Sequence, residues 1–219
     1  MLIKLSEINK SYNQRYVLDD LNLEISTAES IAIQGRSGSG KTTLINILAG
    51  LLADYNGTYY FQDVEMSQAN GKERAKFRQR DIGIITQHFD LLENYTVNAN
   101  ILLGISHLRL SLKQKREKVQ DILRYLELSG YEKKRISDLS GGEKQRVAIG
   151  RALIKHPKII IADEPTGALD EETRDQILSL FKKLMTDGTQ FIIVTHDDEV
   201  AKICDKIYDL KKGYLYQRK

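Results

Sequence analysis

Gly-Arg-Ser-Gly-Ser-Gly-Lys-Thr, at residues 35–42, is the most informative stretch of this chain. Its glycine spacing and its final Lys-Thr pair are those of a phosphate-binding loop, in which backbone N–H groups converge on phosphate oxygens. In such a loop Lys41 reaches the β- and γ-phosphates, and the hydroxyl of Thr42 can bind Mg²⁺. Chance produces the motif in roughly one chain per hundred of this length. The loop therefore predicts a nucleotide site, and a second motif is needed to define the kind of protein.

That second motif is Leu-Ser-Gly-Gly-Glu-Lys-Gln-Arg at residues 139–146. Ser140, Gly141 and Gly142 are expected to begin a helix, so that unpaired N–H groups and the positive helix end face an anion. The loop around Lys41 already forms one phosphate site. With both motifs present in one chain, a chance origin is untenable.

The segments next to the loop have the required order of strand, loop and helix. Residues 30–34 are nearly all apolar and lead into the loop, whereas residues 21–25 alternate as a half-buried strand does. After the loop, apolar residues at i, i+3, i+4 and i+7 predict a helix with one buried stripe formed by Leu44, Ile47, Leu48 and Leu51.

Further along, short β-branched runs alternate with helical segments, which predicts a parallel sheet covered on both faces. Strands are predicted at 57–61, 82–85, 158–163 and 190–195, helices at 72–80 and through 177–184, a helical segment from about 95 to 156, and a C-terminal hairpin at 207–214. The stripe of Val119, Ile122, Leu123 and Leu126 supports the helical segment.

Composition limits the class of protein. The 219 residues fit one elaborated domain, and a net charge of +3 with no clustering of basic residues is weak support for nucleic-acid binding. Attraction to an anionic membrane surface stays open. A single cysteine, Cys204, excludes an internal disulfide and a cysteine-rich zinc site and suits a reducing cytosol. The most apolar window, residues 45–53, is too short to cross a bilayer, so we expect any action on a membrane to go through a partner.

The apolar strand predicted at 158–163 ends in two adjacent carboxylates, Asp163 and Glu164. The carboxyl edge of an open α/β sheet is where ligands bind, which places Asp163 and Glu164 beside the loop. Asp163 can hold Mg²⁺ and Glu164 can polarise the attacking water as a general base, although loop capping is the alternative for such a pair. His196 follows another apolar strand and can bond the γ-phosphate, or it is an ordinary strand-end histidine. His88, His107 and Cys204 are interpreted as having no chemical role.

In their order and spacing these motifs resemble the ATP-binding subunit of an ATP-binding cassette (ABC) transporter over essentially the whole chain. By this resemblance residues 35–42 are the Walker A loop, residues 139–143 the signature, and residues 159–163 with Glu164 the Walker B strand and base. Gln87 is the Q-loop glutamine, residues 168–170 are the D-loop, and His196 is the switch histidine.

The resemblance also assigns the site and its ligands, ATP and Mg²⁺. Tyr12 lies where the family stacks an aromatic ring on adenine, although a lone tyrosine is more often packing. The implied nucleotide-binding residues are Tyr12, Gly35, Arg36, Ser37, Gly38, Ser39, Gly40, Lys41, Thr42, Thr43, Gln87 and His196. The catalytic residues are Glu164, His196 and Gln87, and the metal ligands are Thr42, Gln87 and Asp163. Residues that contact the nucleotide of a second subunit are Ser140, Gly141, Gly142, Glu143 and Asp170.

The implied fold is an α/β P-loop NTPase of the ABC ATPase type. Its core is a mixed or parallel sheet, with an N-terminal antiparallel β subdomain and an inserted α-helical subdomain. Residues 1–219 form one ABC ATPase domain, in which 1–90 and 157–219 supply the core and the antiparallel subdomain. The segment of about 91–156 is the helical subdomain that carries the signature.

Within the family, residues 162–170 and 145–149 look most like the macrolide-export, lipoprotein-release and cell-division group, a pattern shared by bacterial exporters of antimicrobial peptides. This likeness implies a subunit that pairs with itself or with a like subunit at the cytoplasmic face of the cell membrane. ATP-driven closure of the pair powers an integral membrane permease with four helices and a large external domain. Ala28-Glu29 and Asn98-Ala-Asn100 depart from the group's usual Gly-Glu and Glu-Asn, at positions away from the chemistry.

Three alternatives remain at this point. An importer ATPase for amino acids or other small nutrients often carries C-terminal regulatory domains, which this chain lacks after its hairpin. A soluble ABC ATPase acting on nucleic acid or ribosomes resembles tandem cassettes or carries coiled-coil or zinc insertions, which are also lacking, so no direct nucleic-acid contact is expected. An ATP-binding regulator without hydrolysis would need neither Glu164 nor His196.

Overall fold

The fold is known from a computed structural model that describes residues 1–218. Its elements, in chain order, are β1 (Ile3–Tyr12), β2 (Arg15–Ile25), β3 (Ile31–Gln34), α1 (Lys41–Leu48), β4 (Asn56–Phe61), β5 (Val64–Glu65), α2 (Gly71–Arg80), β6 (Ile82–Ile85), α3 (Val97–Leu103), α4 (Leu112–Tyr125), a 3₁₀ turn (Ile136–Asp138), α5 (Gly141–Leu153), β7 (Ile159–Asp163), α6 (Glu171–Thr186), β8 (Gln190–Val194), α7 (Asp198–Lys202), β9 (Lys206–Lys211) and β10 (Tyr214–Gln217).

A six-stranded sheet with the order β10-β9-β3-β8-β7-β6 forms the core. Strands β9, β3, β8, β7 and β6 are parallel, and β10 is antiparallel to β9. Every residue of β3 and of β8 is buried, because both faces of a parallel sheet are covered. The predicted α/β fold with a mixed sheet is confirmed. The carboxyl ends of five strands meet at one edge, where the candidate site lies.

The predicted N-terminal antiparallel sheet is also present, with the order β2-β1-β4-β5. Asn13 and Gln14 form a tight turn between β1 and β2 and have positive φ angles of 48° and 63°, as a two-residue hairpin turn requires. Side chains of this sheet, of α1 and of β3 share one hydrophobic cluster, which includes Leu23, Ile33 and Leu44. Helix α1 is therefore held between the two sheets.

Helices α3, α4 and α5 pack together around a second cluster, in which Val119, Leu123 and Leu126 are buried and Ile122 is partly buried. A Cβ added at Gly150 would lie 2.8 Å from Leu126 Cδ1, so glycine permits the close approach of α5 to α4. Helix α5 also contacts β6 of the core sheet. The helical segment is thus joined to the core through α5.

The predicted stripe on α1 is wrong at its last member. Leu44, Ile47 and Leu48 are buried as predicted, but the helix ends at Leu48 and the Leu51 side chain is 55% exposed. Gly50 has a φ of 64°, the left-handed conformation that commonly ends a helix. The periodic pattern continued past this stop because it counts apolar residues without regard to the glycine.

Ala28 lies in the turn between β2 and β3 with a φ of 65°, where a side chain is strained. The group that the chain resembles has glycine here. Replacing Ala28 by Gly removes the strain but makes the unfolded chain more flexible, and the two effects oppose each other. We expect Ala28→Gly to raise the free energy of unfolding by about 0.5 kcal/mol, measured by urea denaturation without nucleotide. Ala53→Gly, in an exposed loop, is the control. A lower stability of Ala28→Gly than of the wild type would contradict the strain.

Candidate active site

An open cavity of about 670 Å³ lies at the carboxyl edge of the core sheet. Its walls come from the loop after β3, the ends of β1 and β7, and the segments after β6 and β8. The residues that line it are Tyr12, Val17, Gly35, Arg36, Ser37, Gly38, Gly40, Lys41, Thr42, Thr43, Gln87, Asp163, Glu164 and His196. The structure thus brings the predicted nucleotide, metal and catalytic residues together, apart from Ser39, whose buried hydroxyl has no partner among residues 1–218.

The N-terminus of α1 is left open toward this cavity. Gly40 precedes the helix with a φ of 105°, and a Cβ there would lie 2.7 Å from the carbonyl oxygen of Val17. Only glycine fits both the conformation and the contact. Gly40 offers no capping side chain, whereas each of the other six α-helices within residues 1–218 has a side-chain cap. The first N–H groups of α1 therefore stay available to an anion.

The ammonium group of Lys41 lies within the loop. Its Nζ donates to the carbonyl oxygens of Gly35 at 2.7 Å and Arg36 at 3.1 Å. Since an ammonium has three donors, one remains for a phosphate oxygen. Positive charge and backbone N–H groups are thus gathered at one point.

Tyr12 ends β1 just before the hairpin turn, and the residue is 49% exposed. The ammonium of Lys10 lies 4.8 Å from the centre of this ring and also pairs with Asp54 at 2.8 Å. The contact with the buried Lys10 orients the ring of Tyr12, which lines the cavity. A planar base can therefore stack on this ring.

Asp163 is the last residue of β7, and Glu164 directly follows it. Burial and the adjacent charge of Glu164 raise the pKa of Asp163 above its usual value, and the opposing effect of the nearby Lys41 charge is smaller. Glu164 has a φ of 45°, an uncommon conformation for a residue with a side chain, and its N–H donates to the carbonyl oxygen of Val194 at 2.8 Å. Two carboxylates this close repel each other, and a bound cation would reduce that repulsion.

Three side chains in the cavity fit a magnesium ion. Thr42, Gln87 and Asp163 supply a hydroxyl, an amide and a carboxylate oxygen, the hard oxygen donors that Mg²⁺ prefers. Within residues 1–218 no group of three or more His, Cys, Asp or Glu side chains could hold a metal by itself. This matches the usual Mg²⁺ site, in which the protein gives few ligands and phosphate oxygens give others.

The carboxylate of Glu164 is held by the segment after β8. His196 Nδ1 lies 2.9 Å from Glu164 Oε1, and the Thr195 hydroxyl lies 3.2 Å from Glu164 Oε2. The His196 side chain is 75% exposed. The ring of His196 thus contacts Glu164 within the cavity, and its exposure leaves room for it to turn away from that carboxylate.

Gln87 lies beside the turn that follows Glu164, because a Cβ added at Gly167 would be 3.2 Å from Gln87 Nε2. Phe89 and Asp90, two and three residues further along the chain, have positive φ angles of 62° and 48°. The guanidinium of Arg151, from α5, donates to the carbonyl oxygens of both. The Q-loop is thus held in a strained form by the helix that begins with the signature.

The signature residues lie outside the cavity. Ser140 and Glu143 cap α5 reciprocally: the Ser140 hydroxyl accepts from the Glu143 N–H at 3.3 Å, and Glu143 Oε2 accepts from the Ser140 N–H at 2.8 Å. Burial would raise the pKa of Glu143, but hydrogen bonds from Ser140 and Tyr131 and the charge of Lys134 lower it. The capping box leaves the N–H groups of Gly141 and Gly142 without a partner in the helix.

Asp170, also outside the cavity, caps α6. Its carboxylate accepts from the Thr173 N–H at 2.9 Å and the Thr173 hydroxyl at 2.7 Å, and these bonds lower the pKa of Asp170. A Cβ added at Gly142 would lie 2.5 Å from Thr173 Cγ2. A Cβ added at Gly141 would lie 3.4 Å from Leu169 Cδ2, so the signature lies against both the D-loop and the first turn of α6. The residues predicted to reach a second subunit therefore share one surface.

Sequence reasoning missed three polar residues that organise the site. Thr195 contacts Glu164, Arg151 holds the Q-loop, and the fully buried Gln145 donates from α5 to the carbonyl oxygen of Pro165. Each contact joins segments about 20 to 62 residues apart, which no local pattern predicts. The only available signal for Thr195 was its place directly before His196.

The open helix end, the lysine within the loop and the carboxylates at the sheet edge define a P-loop nucleotide-binding protein. Comparison with known proteins makes this specific: the model of the ABC transporter family matches residues 18–167. The chain belongs to the ABC transporter family, as its ATP-binding domain.

Its relatives support the same group. The chain is 38% identical over 98% of its length to the lipoprotein-releasing system ATP-binding protein LolD of Bacteroides thetaiotaomicron and covers 99% of that protein. It is 36% identical over 98% of its length to the macrolide export ATP-binding/permease protein MacB of Campylobacter jejuni, of which it covers 33%. It matches the solved dimeric ATP-binding cassette MJ0796, bound to ADP and Pi, with a TM-score of 0.90 and 36% identity, covering 100% of this chain and 98% of that one.

The predicted resemblance to the macrolide-export and lipoprotein-release group is confirmed by these relatives, and the importer alternative is not favoured. Among residues 1–218, no helix combines the length and the apolar character that crossing a membrane requires.

Proposed function

We propose that this protein is the ATP-binding and ATP-hydrolysing subunit of a bacterial ABC transporter of the lipoprotein-release or macrolide-export type. The observation that carries the proposal is the uncapped N-terminus of α1, with Lys41 in its loop, opposite Glu164 in one cavity. Binding alone would not require a carboxylate held beside the phosphate position.

ATP binds with its phosphates on the N–H groups of residues 38–43 and on Lys41, because both supply positive charge at one point. Its adenine stacks on the ring of Tyr12, which lines the same cavity. Thr42, Gln87 and Asp163 would hold Mg²⁺, which when bound neutralises charge on the β- and γ-phosphate oxygens.

Hydrolysis is the in-line attack of water on the γ-phosphorus. Glu164 accepts a proton from the water as the new P–O bond forms, and the bond to the β–γ bridging oxygen breaks to release ADP and phosphate. Lys41 neutralises charge on the leaving side. His196 turns from Glu164 to bond the γ-phosphate, a movement that its exposure allows.

One chain supplies only half of the surroundings of the γ-phosphate. We infer that Ser140, Gly141 and Gly142 of a second subunit, with its Glu143 and Asp170 alongside, close over the ATP held by the first, so that a two-fold pair buries two nucleotides. The unpaired N–H groups of Gly141 and Gly142 support this role. The dimeric state of MJ0796 supports it as well. ATP then favours the closed pair, and hydrolysis releases it.

Closure of the pair drives a conformational change in an integral membrane permease that docks near Gln87 and the helical segment. The subunit therefore lies at the cytoplasmic face of the membrane. The relatives that release lipoproteins or export macrolides support an exporter or a mechanotransmission system. The test is purification of the tagged protein from detergent-solubilised native membranes. We expect a permease with four spans and a large external domain to co-purify, whereas a multi-helix importer permease or RNA would contradict the proposal.

Lys41→Ala tests the nucleotide site itself. A hydrogen bond to a charged group contributes about 1.5 to 3 kcal/mol, so we expect ATP affinity to fall about tenfold to hundredfold. Isothermal titration calorimetry measures the affinity. Lys182→Ala removes an exposed lysine of α6 outside the cavity and is the control. Unchanged affinity in Lys41→Ala would exclude the loop as the phosphate site.

A further inference from the structure

We propose that Thr195 is a positioning residue that orients the catalytic base, an inference that rests on the proposed role of Glu164. Thr195 directly follows β8, is 1% exposed, and has its hydroxyl 3.2 Å from Glu164 Oε2. Its own N–H bonds the carbonyl oxygen of Ile33 at 3.2 Å, which fixes the residue to β3.

The direction of the bond between Thr195 and Glu164 follows from the two partners of the hydroxyl, an N–H that can only donate and a carboxylate that can only accept. The N–H of Asp197 donates to the Thr195 hydroxyl oxygen at 3.0 Å. A hydroxyl has one proton to give, and the donated N–H occupies one of its lone pairs. Its proton therefore goes to the carboxylate of Glu164, which as an anion can only accept.

Asp197 is itself held in place. Its carboxylate caps α7 by accepting from the N–H of Glu199 at 2.8 Å, and it lies 3.7 Å from the guanidinium of Arg174 on α6. The chain of contacts from α6 through Asp197 to Thr195 keeps the hydroxyl aimed at Glu164.

The two oxygens of Glu164 then have different roles. Oε1 faces His196, whose ring is exposed and can leave, whereas Oε2 faces Thr195, which is buried and cannot. When His196 turns to the γ-phosphate, the Thr195 hydroxyl still holds Oε2, and Oε1 is free to take the proton of water. Without the hydroxyl, Oε2 keeps only the longer bond from the His196 N–H, at 3.4 Å, so the carboxylate of Glu164 can rotate. A misplaced base lowers the rate without weakening the binding of ATP.

The experiment compares Thr195→Val, which keeps the shape and loses the hydroxyl, with Thr195→Ser, which keeps the hydroxyl. We expect Thr195→Val to lower kcat for ATP hydrolysis at least about tenfold with KM changed less than about twofold, and Thr195→Ser to stay within about threefold of the wild type. Thr186→Val removes a hydroxyl that bonds only its own helix, at the carbonyl oxygen of Lys182, and is the control. If urea denaturation shows that Thr195→Val does not fold, Thr195→Ala is used in its place.

A double variant that combines Glu164→Gln with Thr195→Val tests this inference separately from the proposed function. In Glu164→Gln, adding Thr195→Val should cause no further fall in kcat, because both changes act through one carboxylate. A wild-type kcat in Thr195→Val, with Glu164→Gln inactive, would overturn the positioning role alone. Equal losses in Thr195→Val and Thr195→Ser would overturn it as well, since the hydroxyl would then not matter. A wild-type kcat in Glu164→Gln would instead remove the base itself.

Discussion

Replacing Glu164 by Gln is expected to lower kcat for ATP hydrolysis by about a hundredfold to ten-thousandfold, the range in which a general base contributes. Glutamine has nearly the same shape but cannot take a proton from water. Because Lys41 and the open end of α1 are unchanged, ATP should bind as before. With binding intact and hydrolysis blocked, the closed pair should accumulate.

Phosphate release measures the rate, and size-exclusion chromatography with and without ATP measures the pair. Glu117→Gln makes the same chemical change on α4, where Glu117 has only an exposed contact with Lys113, and should behave as the wild type. Hydrolysis at the wild-type rate in Glu164→Gln would show that another group activates the water.

Replacing Gly141 by Asp should abolish ATP-dependent pairing while each subunit still binds ATP. A carboxylate about 4 Å from a phosphate charge of the partner's nucleotide costs about 4 kcal/mol at an effective dielectric constant of 20, equivalent to about a thousandfold in pairing. The rate of hydrolysis should fall with it. ATP-dependent size-exclusion shifts and calorimetry separate pairing from binding.

Gly141 is a better position for this test than its neighbours. Gly142→Asp would collide with Thr173 of the same chain, and Ser140→Ala would remove the cap of α5. At Gly141 a Cβ meets only Leu169 Cδ2 at 3.4 Å, and an acid in the first turn suits a helix.

The chain provides a matched control for Gly141→Asp. Gly71 is the first residue of α2, behind a reciprocal cap from Asn70, and nothing lies within 4 Å of a Cβ placed there. Gly71→Asp therefore makes the same change at the same helix position away from the site and should pair normally. Normal pairing of Gly141→Asp would contradict the cross-subunit account.

Much of the candidate site could be predicted from the sequence because the residues that the structure brings together there stand in short local motifs. The loop around Lys41, the acids after an apolar strand and His196 after another each have a local pattern, and parallel strands bring their carboxyl ends to one edge. The residues that hold these groups could not be predicted in this way. Thr195, Gln145 and Arg151 act through contacts between distant segments, which only the folded chain reveals.

Leu51 shows that a local pattern can also predict a contact that the folded chain does not make. Its spacing is that of a helical stripe, yet the left-handed Gly50 ends the helix before it. Local backbone chemistry overrode periodicity there.

Helix α5 has one further consequence. Gly141 opens it, Gln145 ties its middle to the turn after Glu164, and Arg151, about 15 Å along the axis, grips the strained Q-loop. Because hydrogen bonds between successive turns fix the length of an α-helix, α5 is stiff along its axis. If a partner's triphosphate contacts Gly141, as we propose, a displacement there would be transmitted along the axis of α5 to the Q-loop, near which we propose that the permease docks.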